Sequence, residues 1–328
     1  MQHYHFVIIG AGVCGLACAA QLPKQDTRIV EKSRGPGGRL SSKRLDQQRA
    51  DIGAQFITAR DPVFQAIVTE AQADGALSVW TPRMGKLHAD GIQESPDRHP
   101  RYVGTPYMNA FGRHLAKGLS IDTETRISAV QRTTGGYLLS TTEGSQFTAA
   151  HVVCTAPVNQ MQDMLVDFDV ADIVSRFTME PTWTVVLESE DLLRDRDGNV
   201  LDACFGGDDP DIDFVSVEAS KPGRHSKFIV VHSTVAFARQ MLELEPSEAG
   251  IRLQGIVEEK LSLRGSCKLA HRWRFARPTD PHVTAQKGIY HVDNGLWIAG
   301  DYLSGGRVEG AYLAGLEVGQ RLREAVAG

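Results

Sequence analysis

Short apolar runs bounded by glycine, proline and charged clusters alternate along this chain with stretches whose apolar residues recur at helical spacing. Residues 4–9 are apolar and β-branched, the pattern of a strand buried in a parallel sheet. They run into Gly10-Ala11-Gly12-Val13-Cys14-Gly15 and then a small-residue helix over 16–21. Residues 27–30 predict a second strand, closed by Glu31. A helix follows over 61–73, with Asp61 as its cap, Pro62 at its first position and Phe64, Ile67, Val68 and Ala71 along one face. The stretch 77–106 is irregular and rich in Gly, Pro, His and Asp. It is expected to pair strands beneath a second domain and to return through Arg101-Tyr102-Val103-Gly104. A helix over 107–119 then turns Met108, Phe111 and Leu115 inward.

Residues 119–157 form the clearest β region. Runs at 123–131, 137–141 and 146–149 are joined by turns at Gly135-Gly136 and Glu143-Gly144, and 151–155 repeats the buried-strand pattern before Ala156-Pro157 ends it. The chain then predicts a helix over 161–168, a strand beginning at 181, and a solvated hairpin and loop over 191–213. A strand over 227–234 and a helix over 246–261 follow, the latter with Ile251, Ile256 and Leu261 among its apolar positions. In 271–278, alternation puts His271, Trp273 and Phe275 on one face and Arg272 and Arg274 on the other. A last strand ends in Gly300-Asp301, and a glycine-rich loop leads to a helix over 308–326. The resulting fold class is α/β, a Rossmann-like parallel sheet with a second domain inserted discontinuously.

Composition narrows the picture. A chain of 328 residues has room for about two domains with full cores. A net charge of -5 with scattered Lys and Arg argues against a nucleic-acid surface. Five cysteines without a C-x-x-C pair fit a reduced cytoplasm better than a disulfide framework or zinc site. The carboxylates of 191–213 lack the spacing and closing glutamate of a calcium loop, so no metal is expected. Residues 6–20 imitate a signal-peptide core, but residues 1–5 hold no Lys or Arg and glycines interrupt the run, so secretion is not expected. No stretch approaches the roughly 18 apolar residues of a membrane span.

The chemistry concentrates at the N-terminus. In the glycine fingerprint Gly10 permits the turn, Gly12 lets a pyrophosphate approach the backbone and Gly15 lets helix and strand pack, with the helix N-terminus facing the anion. Glu31 lies about 20 residues further on, where a carboxylate accepts ribose hydroxyls. A second loop, Gly35-Pro36-Gly37-Gly38-Arg39, offers backbone amides and a guanidinium to phosphate, which a nicotinamide-only Rossmann domain does not need. Asp51-Ile52-Gly53-Ala54-Gln55-Phe56 suits either a loop passing close to a flat ring, with Gln55 offering an amide, or a plain surface turn.

The fingerprint, the acid, then R-G-x-G-G-R and D-x-G-A-Q-[FY] resemble the FAD-binding half of the flavin amine oxidase superfamily. Residues 31–44 and 51–61 resemble its bacterial renalase branch more narrowly, as does the H-R-W-x-[FY]-A-R-P strand at 271–278. The resemblance implies an FAD-binding domain of the amine oxidase/p-hydroxybenzoate hydroxylase type over 1–60, 101–160 and 286–328, and a substrate domain over 61–100 and 161–285. Cofactor contacts are then expected from Gly10, Gly12, Val13, Cys14, Gly15, Glu31, Lys32, Gly38 and Arg39, and from Ala54, Gln55 and Phe56. Ile127 would lie against adenine, though its spacing suits ordinary core equally. Thr155 would lie near the cofactor at the end of its strand, and Gly300, Asp301 and Val308 would meet it from the other end of the chain. With no cysteine after Cys267, the FAD is expected to be non-covalent.

Substrate-side candidates are Tyr102, Thr182, Trp183, His232, Trp273 and Arg277. Tyr102 also suits an exposed loop, and His232 a satisfied core histidine. An arginine near the site could hold a phosphate-bearing substrate, or simply sit at the surface beside core aromatics. The resemblance implies oxidation of 2- and 6-dihydronicotinamide isomers of NAD(P)H to β-NAD(P)+, with O2 reduced to hydrogen peroxide. No side chain is assigned a catalytic role, because loss of hydride from a dihydropyridine needs no base. Amine oxidation is the alternative chemistry, although no lysine stands out near the flavin. A non-catalytic FAD-binding redox sensor is the alternative of another class. The partners expected are a small dinucleotide and O2, with no nucleic acid and no membrane.

Overall fold

A computed structural model describes residues 1–96, 99–282 and 284–327. Two large sheets organise them. The first runs in the order Ile127–Thr133, Gly136–Thr141, Gln146–Cys154, His3–Ile9, Thr27–Val30, Ile121–Asp122. The first half of Gln146–Cys154 pairs with the antiparallel meander. Its second half takes Leu296–Ala299 as a parallel neighbour, which in turn pairs with Ile289–Asp293. Among the described residues five strands (His3–Ile9, Thr27–Val30, Gln146–Cys154, Leu296–Ala299 and the short Ile121–Asp122) therefore run parallel. Their apolar character follows from burial on both faces: Val7, Ile8, Ile29, Val152 and Ile298 have no exposed surface.

Two helices cover one face of this sheet. Val13–Ala19 is buried along its whole length, and Val308–Ala327 lies across it. The close approach depends on glycine, since a Cβ at Gly315 would stand 2.1 Å from the carbonyl oxygen of Cys14. Glu309, in the first turn of the C-terminal helix, accepts the backbone N–H groups of Arg60 and Asp61 at 2.6 and 2.7 Å. Asp61 in turn caps Pro62–Ala73, accepting from Val63 N at 2.8 Å with Pro62 at the first position, as the sequence predicts.

The second sheet has the order Ser266–Pro278, Met179–Glu188, Phe228–Ser233, Ile212–Val217, Ala203–Phe205, Met84–His88, Gly91–Glu94. Its outer face packs Val185, Leu187, Ile229 and Val231 against the helices Val235–Gln240 and Pro246–Leu261. The opposite face carries the small cluster Ala50, Ile52, Val186, Phe228 and Val230, contributed partly by the hairpin Ser42–Leu45/Gln48–Asp51. That face looks toward the strand ends of the first sheet.

Several expectations change. The region 77–106 holds four strands; Met84–His88 and Gly91–Glu94 extend the second sheet, while Leu77–Trp80 and Arg101–Gly104 form a separate ribbon. The β runs at 146–149 and 151–155 are one strand, Gln146–Cys154. The helix expected over 161–168 is only Met161–Met164, with a second short helix at Ala171–Arg176. In Pro246–Leu261, Ile251 is 67% exposed, because Ala249, Gly250, Leu253 and Val257 form the buried stripe. Part of the stretch 191–213 is ordered as Ala203–Phe205. Among the described residues no helix is long and apolar enough to cross a membrane.

Candidate active site

Four of the parallel strands each deliver one part of a site at the carboxyl end, the position where open α/β sheets bind ligands. The glycine fingerprint follows His3–Ile9, Glu31 follows Thr27–Val30, Thr155 follows Gln146–Cys154, and Gly300-Asp301 follows Leu296–Ala299. These residues line one cleft of about 1350 Å³ that runs on to the inner face of the second sheet.

The fingerprint glycines divide their work. A Cβ on Gly15 would sit 2.0 Å from the carbonyl oxygen of Gly10, so that glycine is required by packing. A Cβ on Gly12 would meet nothing within 4 Å, because Gly12 faces the open cleft. Thr155 Oγ1 donates to Ile9 O at 2.9 Å and ties the fingerprint turn to the neighbouring strand end. Glu31 is buried, and its two oxygens accept Ala11 N and Ser33 N, each at 2.7 Å. Lys32 lines the cleft and donates to Gln160 Oε1 at 3.0 Å. Cys14, Val13, Gly38, Ala54, Ile127 and Val308 also line it, Ile127 from the first strand of the meander.

Arg39 reaches across to the other end of the chain. Its Nη1 donates to Asp301 Oδ2 at 2.8 Å and to Ala276 O at 2.9 Å, while Nη2 donates to Asp301 Oδ1. The guanidinium expected to serve phosphate is thus engaged first by a carboxylate. Asn109 Oδ1 is buried at the cleft without a hydrogen-bond partner. The open face of Gly12, the buried Glu31 and this orphaned acceptor together suit a long polar cofactor with a pyrophosphate and hydroxyl groups.

The inner face of the second sheet forms the far wall. Thr182 is in register with Trp273, and Thr184 with both His271 and His232. Thr184 Oγ1 donates to Ile52 O at 2.8 Å and Trp273 Nε1 donates to the same oxygen at 2.9 Å, locking sheet and loop together. Arg277 faces the cleft, held by both oxygens of Asp213 at 3.1 and 2.7 Å. Burial pushes the His232 imidazole down to about 4; Asp213 opposes that, and the cations Arg277 and Lys221 add to it. His271 is likewise pushed down to about 4, by burial and then by Lys43. Both rings are neutral at pH 7.

Four expected site residues lie elsewhere. Trp183 has no exposed surface and donates through Nε1 to Met241 O at 3.1 Å on the outer face, because strand alternation turns it away from Thr182 and Thr184. Tyr102 exchanges backbone hydrogen bonds with Ile57, at 2.8 and 2.9 Å, and packs into the core below the cleft. The Gln55 amide is turned inward: Nε2 donates to Asp51 O at 2.7 Å and Gly53 O at 3.0 Å, and Oε1 accepts from Lys221 at 2.8 Å. Phe56 packs against Trp80, Phe205 and Phe214 with the Arg101 guanidinium 4.9 Å above its ring. The alternation expected in 271–278 holds in the bonds made, since Arg272 donates to Leu242 O and Arg274 pairs with Glu243 whereas Trp273 bonds Ile52 O, although both arginines still line part of the cleft.

The sequence reading missed a buried charge cluster beneath the wall. Asp51, Glu218, Lys221 and Arg224 are each at most 3% exposed. Arg224 Nη1 lies 2.6 Å from Glu218 Oε2 and 2.7 Å from Asp51 Oδ2, and Lys221 pairs with Glu218 Oε1. Met108 N donates to Asp51 Oδ1 at 2.9 Å. Two anions and two cations balance. Burial pushes the Glu218 carboxyl up, but Lys221 and Arg224 more than offset it and hold it below the usual carboxylate range. Gln55 connects this cluster to the cleft, its Nε2 standing 3.4 Å from His232 Nε2. The available signal was the three-residue spacing of Glu218, Lys221 and Arg224, which stacks them on one side of a tight turn.

Comparison with known proteins agrees with this geometry. The flavin containing amine oxidoreductase family matches residues 77–323, and an NAD(P)-binding Rossmann-like domain matches residues 8–71. Renalase of Mus musculus is 23% identical over 340 residues, 95% of this chain and 96% of that protein. The zeta-carotene-forming phytoene desaturase of Myxococcus xanthus is 41% identical over 58 residues, which is 17% of this chain and only 11% of that enzyme. A proposed protoporphyrinogen oxidase from Exiguobacterium sp. 255-15 superposes with a TM-score of 0.73 at 13% identity, over 98% of this chain and 99% of that one. An engineered putrescine oxidase gives 0.67 at 11% identity, over 99% of each chain. At such identities the two structures speak to fold. The family match over most of the chain, joined to a cleft built for a long dinucleotide, makes this protein a member of the flavin containing amine oxidoreductase family, an FAD-dependent oxidoreductase.

Proposed function

We propose that this enzyme oxidises mis-reduced dihydronicotinamide dinucleotides, the 2- and 6-dihydro isomers of NAD(P)H, to β-NAD(P)+, with O2 as the final acceptor and hydrogen peroxide as the second product. The observation that carries the reading is the charge of the cleft. Its lining includes eleven Lys or Arg residues against two Asp or Glu, in a protein whose net charge is -5. Among the described residues Arg34, Lys43, Arg44, Arg49, Arg126 and Arg307 have no carboxylate partner. The two phosphates of one FAD leave most of that charge unanswered. An anionic dinucleotide substrate is drawn into such a field, whereas a protonated amine is repelled by it. Renalase as a full-length relative supports the same reading.

FAD, when bound, would supply a two-electron acceptor, and Thr182, Thr184, His232 and Trp273 line the far wall of the cleft that would hold it. Glu31 and the amides around Gly12 suit its ADP half, and the N-terminus of Val308–Ala327 suits the electron-rich ring at the other end. The chain's remaining task is position: Trp273 is fixed by its bond to Ile52 O, and Thr184 by the same carbonyl. With its pKa pushed down to about 4, His232 is a weak proton acceptor, in keeping with a hydride donor that has no proton to give up. We assign residues 1–60, 101–160 and 286–328 to the cofactor domain and 61–100 and 161–285 to the substrate domain on the same grounds.

Anaerobic mixing of the FAD-loaded protein with authentic 2-, 4- and 6-dihydronicotinamide dinucleotides and with a panel of amines tests the proposal. Rapid loss of the oxidised flavin band is expected with the 2- and 6-isomers. Bleaching by amines alone overturns it.

A further inference from the structure

We propose that the hairpin Ser42–Leu45/Gln48–Asp51 carries a phosphate subsite for the substrate, formed by Arg44 and Arg49 on one face, with Lys43 on the other. The inference rests on the dinucleotide reading above and adds where the substrate's phosphates are held. Arg44 and Arg49 are directly opposite one another across the hairpin, while Lys43, opposite Ala50, lies on the other face. Like charges facing each other across two strands cost stability, so the arrangement has no structural benefit of its own. Among the described residues none of the three meets a carboxylate; the one polar contact is Arg49 Nη1 to Ser42 Oγ, at a long 3.5 Å. All three line the cleft.

Their position separates them from the cofactor's own phosphate cradle. The cradle sits at the ends of the parallel strands, where Gly12 lies open. The hairpin instead packs through Ala50 and Leu45, the face that carries Lys43, beside Leu269 and Trp273 on the substrate-side wall, and Arg44 and Arg49 line the cleft from its other face. Lys43 is near enough to His271 to help lower that ring's pKa, which puts the ammonium at the same wall. Guanidinium pairs fit phosphate oxygens bidentately, and a pyrophosphate or a ribose phosphate would relieve the repulsion between Arg44 and Arg49. A nicotinamide stacked near Trp273 would thus have its phosphates on the hairpin.

The test uses FAD-loaded wild-type protein and the R44Q/R49Q variant, with ADP-ribose as a probe that has the pyrophosphate but no ring to oxidise. Calorimetry is expected to show binding to the wild type and a loss of roughly 100-fold in the variant, about tenfold for each charge-assisted contact removed. Flavin content should be unchanged, and the melting temperature equal or higher as the like-charge pair is relieved. Should the double variant melt early, the single changes R44Q and R49Q are read in its place and should each weaken ADP-ribose. Equal binding by wild type and variant, binding by neither, or loss of FAD in place of ADP-ribose would each overturn the subsite. Phosphate-free dihydronicotinamide riboside supplies the second arm: the advantage of dinucleotide over riboside should shrink in the variant, and an equal loss for both overturns the proposal. If no dihydronicotinamide reduces the flavin while ADP-ribose binding still depends on the hairpin, the oxidation reading falls and the subsite stands.

Discussion

Arg39 and Asp301, 262 residues apart in the chain, meet in a two-pronged ion pair at the mouth of the cofactor cleft. Asp301 is almost fully buried, its side chain 6% exposed, and Arg39 supplies most of its compensation while also donating to Ala276 O. The pair joins the second glycine loop to the end of the last parallel strand, and both residues line the cleft. Arg39→Ala would leave the carboxylate without its partner. We expect a loss of about 1–3 kcal/mol, the cost of an unsatisfied charged acceptor tempered by the solvent that reaches Arg39. Flavin absorbance relative to protein should fall, and added FAD should recover part of the lost melting temperature. Asp301→Asn, which keeps an acceptor, should be milder; equal damage from the two would show that the charge pair is not what matters.

The buried quartet of Asp51, Glu218, Lys221 and Arg224 makes a different prediction. Lys221→Met removes one cation and leaves two carboxylates to a single guanidinium, with Gln55 Oε1 losing its donor as well. Breaking such a pair from one side costs about 3–5 kcal/mol. Combining it with Glu218→Gln restores charge balance and should recover most of that loss in urea unfolding. If the double variant is no better than the single, charge imbalance is not the cause.

Acid should destabilise the fold through its two cleft histidines. His232 and His271 are pushed down to about 4 in the folded chain, against an ordinary value near 6.5. Above pH 6.5 both states are neutral there and nothing is gained or lost. As pH falls from 6.5 toward 4 the unfolded chain binds protons that the folded one refuses, so stability drops through that window and levels off below it. Both rings border the open cleft, which trims the effect to about 1–2 kcal/mol for each. His232→Gln should flatten the fall between pH 6.5 and 4, and an unchanged slope in a denaturant series across that range would contradict the assignment.

What could be read from the sequence divides along physical lines. The fingerprint, Glu31 and Gly300-Asp301 were legible because each is local chemistry at the end of a strand, where residue type alone states the requirement. Trp183 was not, because its face depends on the parity of one strand, and Thr182 and Thr184 on either side of it take the cleft. Gln55 and Phe56 sit in a motif whose order was recognisable, but their directions are set by Lys221 and by Phe205 and Phe214, all more than a hundred residues away. The quartet was invisible for the same reason: Asp51 and Glu218 are 167 residues apart and meet only when the hairpin ending at Asp51 packs against the second sheet. In Pro246–Leu261 the apolar residue Ile251 misled because alanine and glycine, not isoleucine, provide the close contact with the sheet.

Two glycines of the fingerprint, three residues apart, should fail in opposite ways. A methyl group on Gly15 would lie 2.0 Å from the carbonyl oxygen of Gly10, a backbone atom that cannot move without opening the turn. Gly15→Ala is therefore expected to lower stability by about 1–3 kcal/mol or more, as overpacking against fixed backbone does, and to reduce soluble yield even with FAD in excess. A methyl group on Gly12 meets no protein atom within 4 Å, and the backbone there already has ordinary helical-cap geometry with φ -72°. Gly12→Ala should fold with the melting temperature of the flavin-free wild type, because the space it fills is the approach to the pyrophosphate. Titration with FAD then separates the two roles: weak or absent binding by a well-folded Gly12→Ala protein is expected, and wild-type affinity in that variant would remove Gly12 from the cofactor cradle.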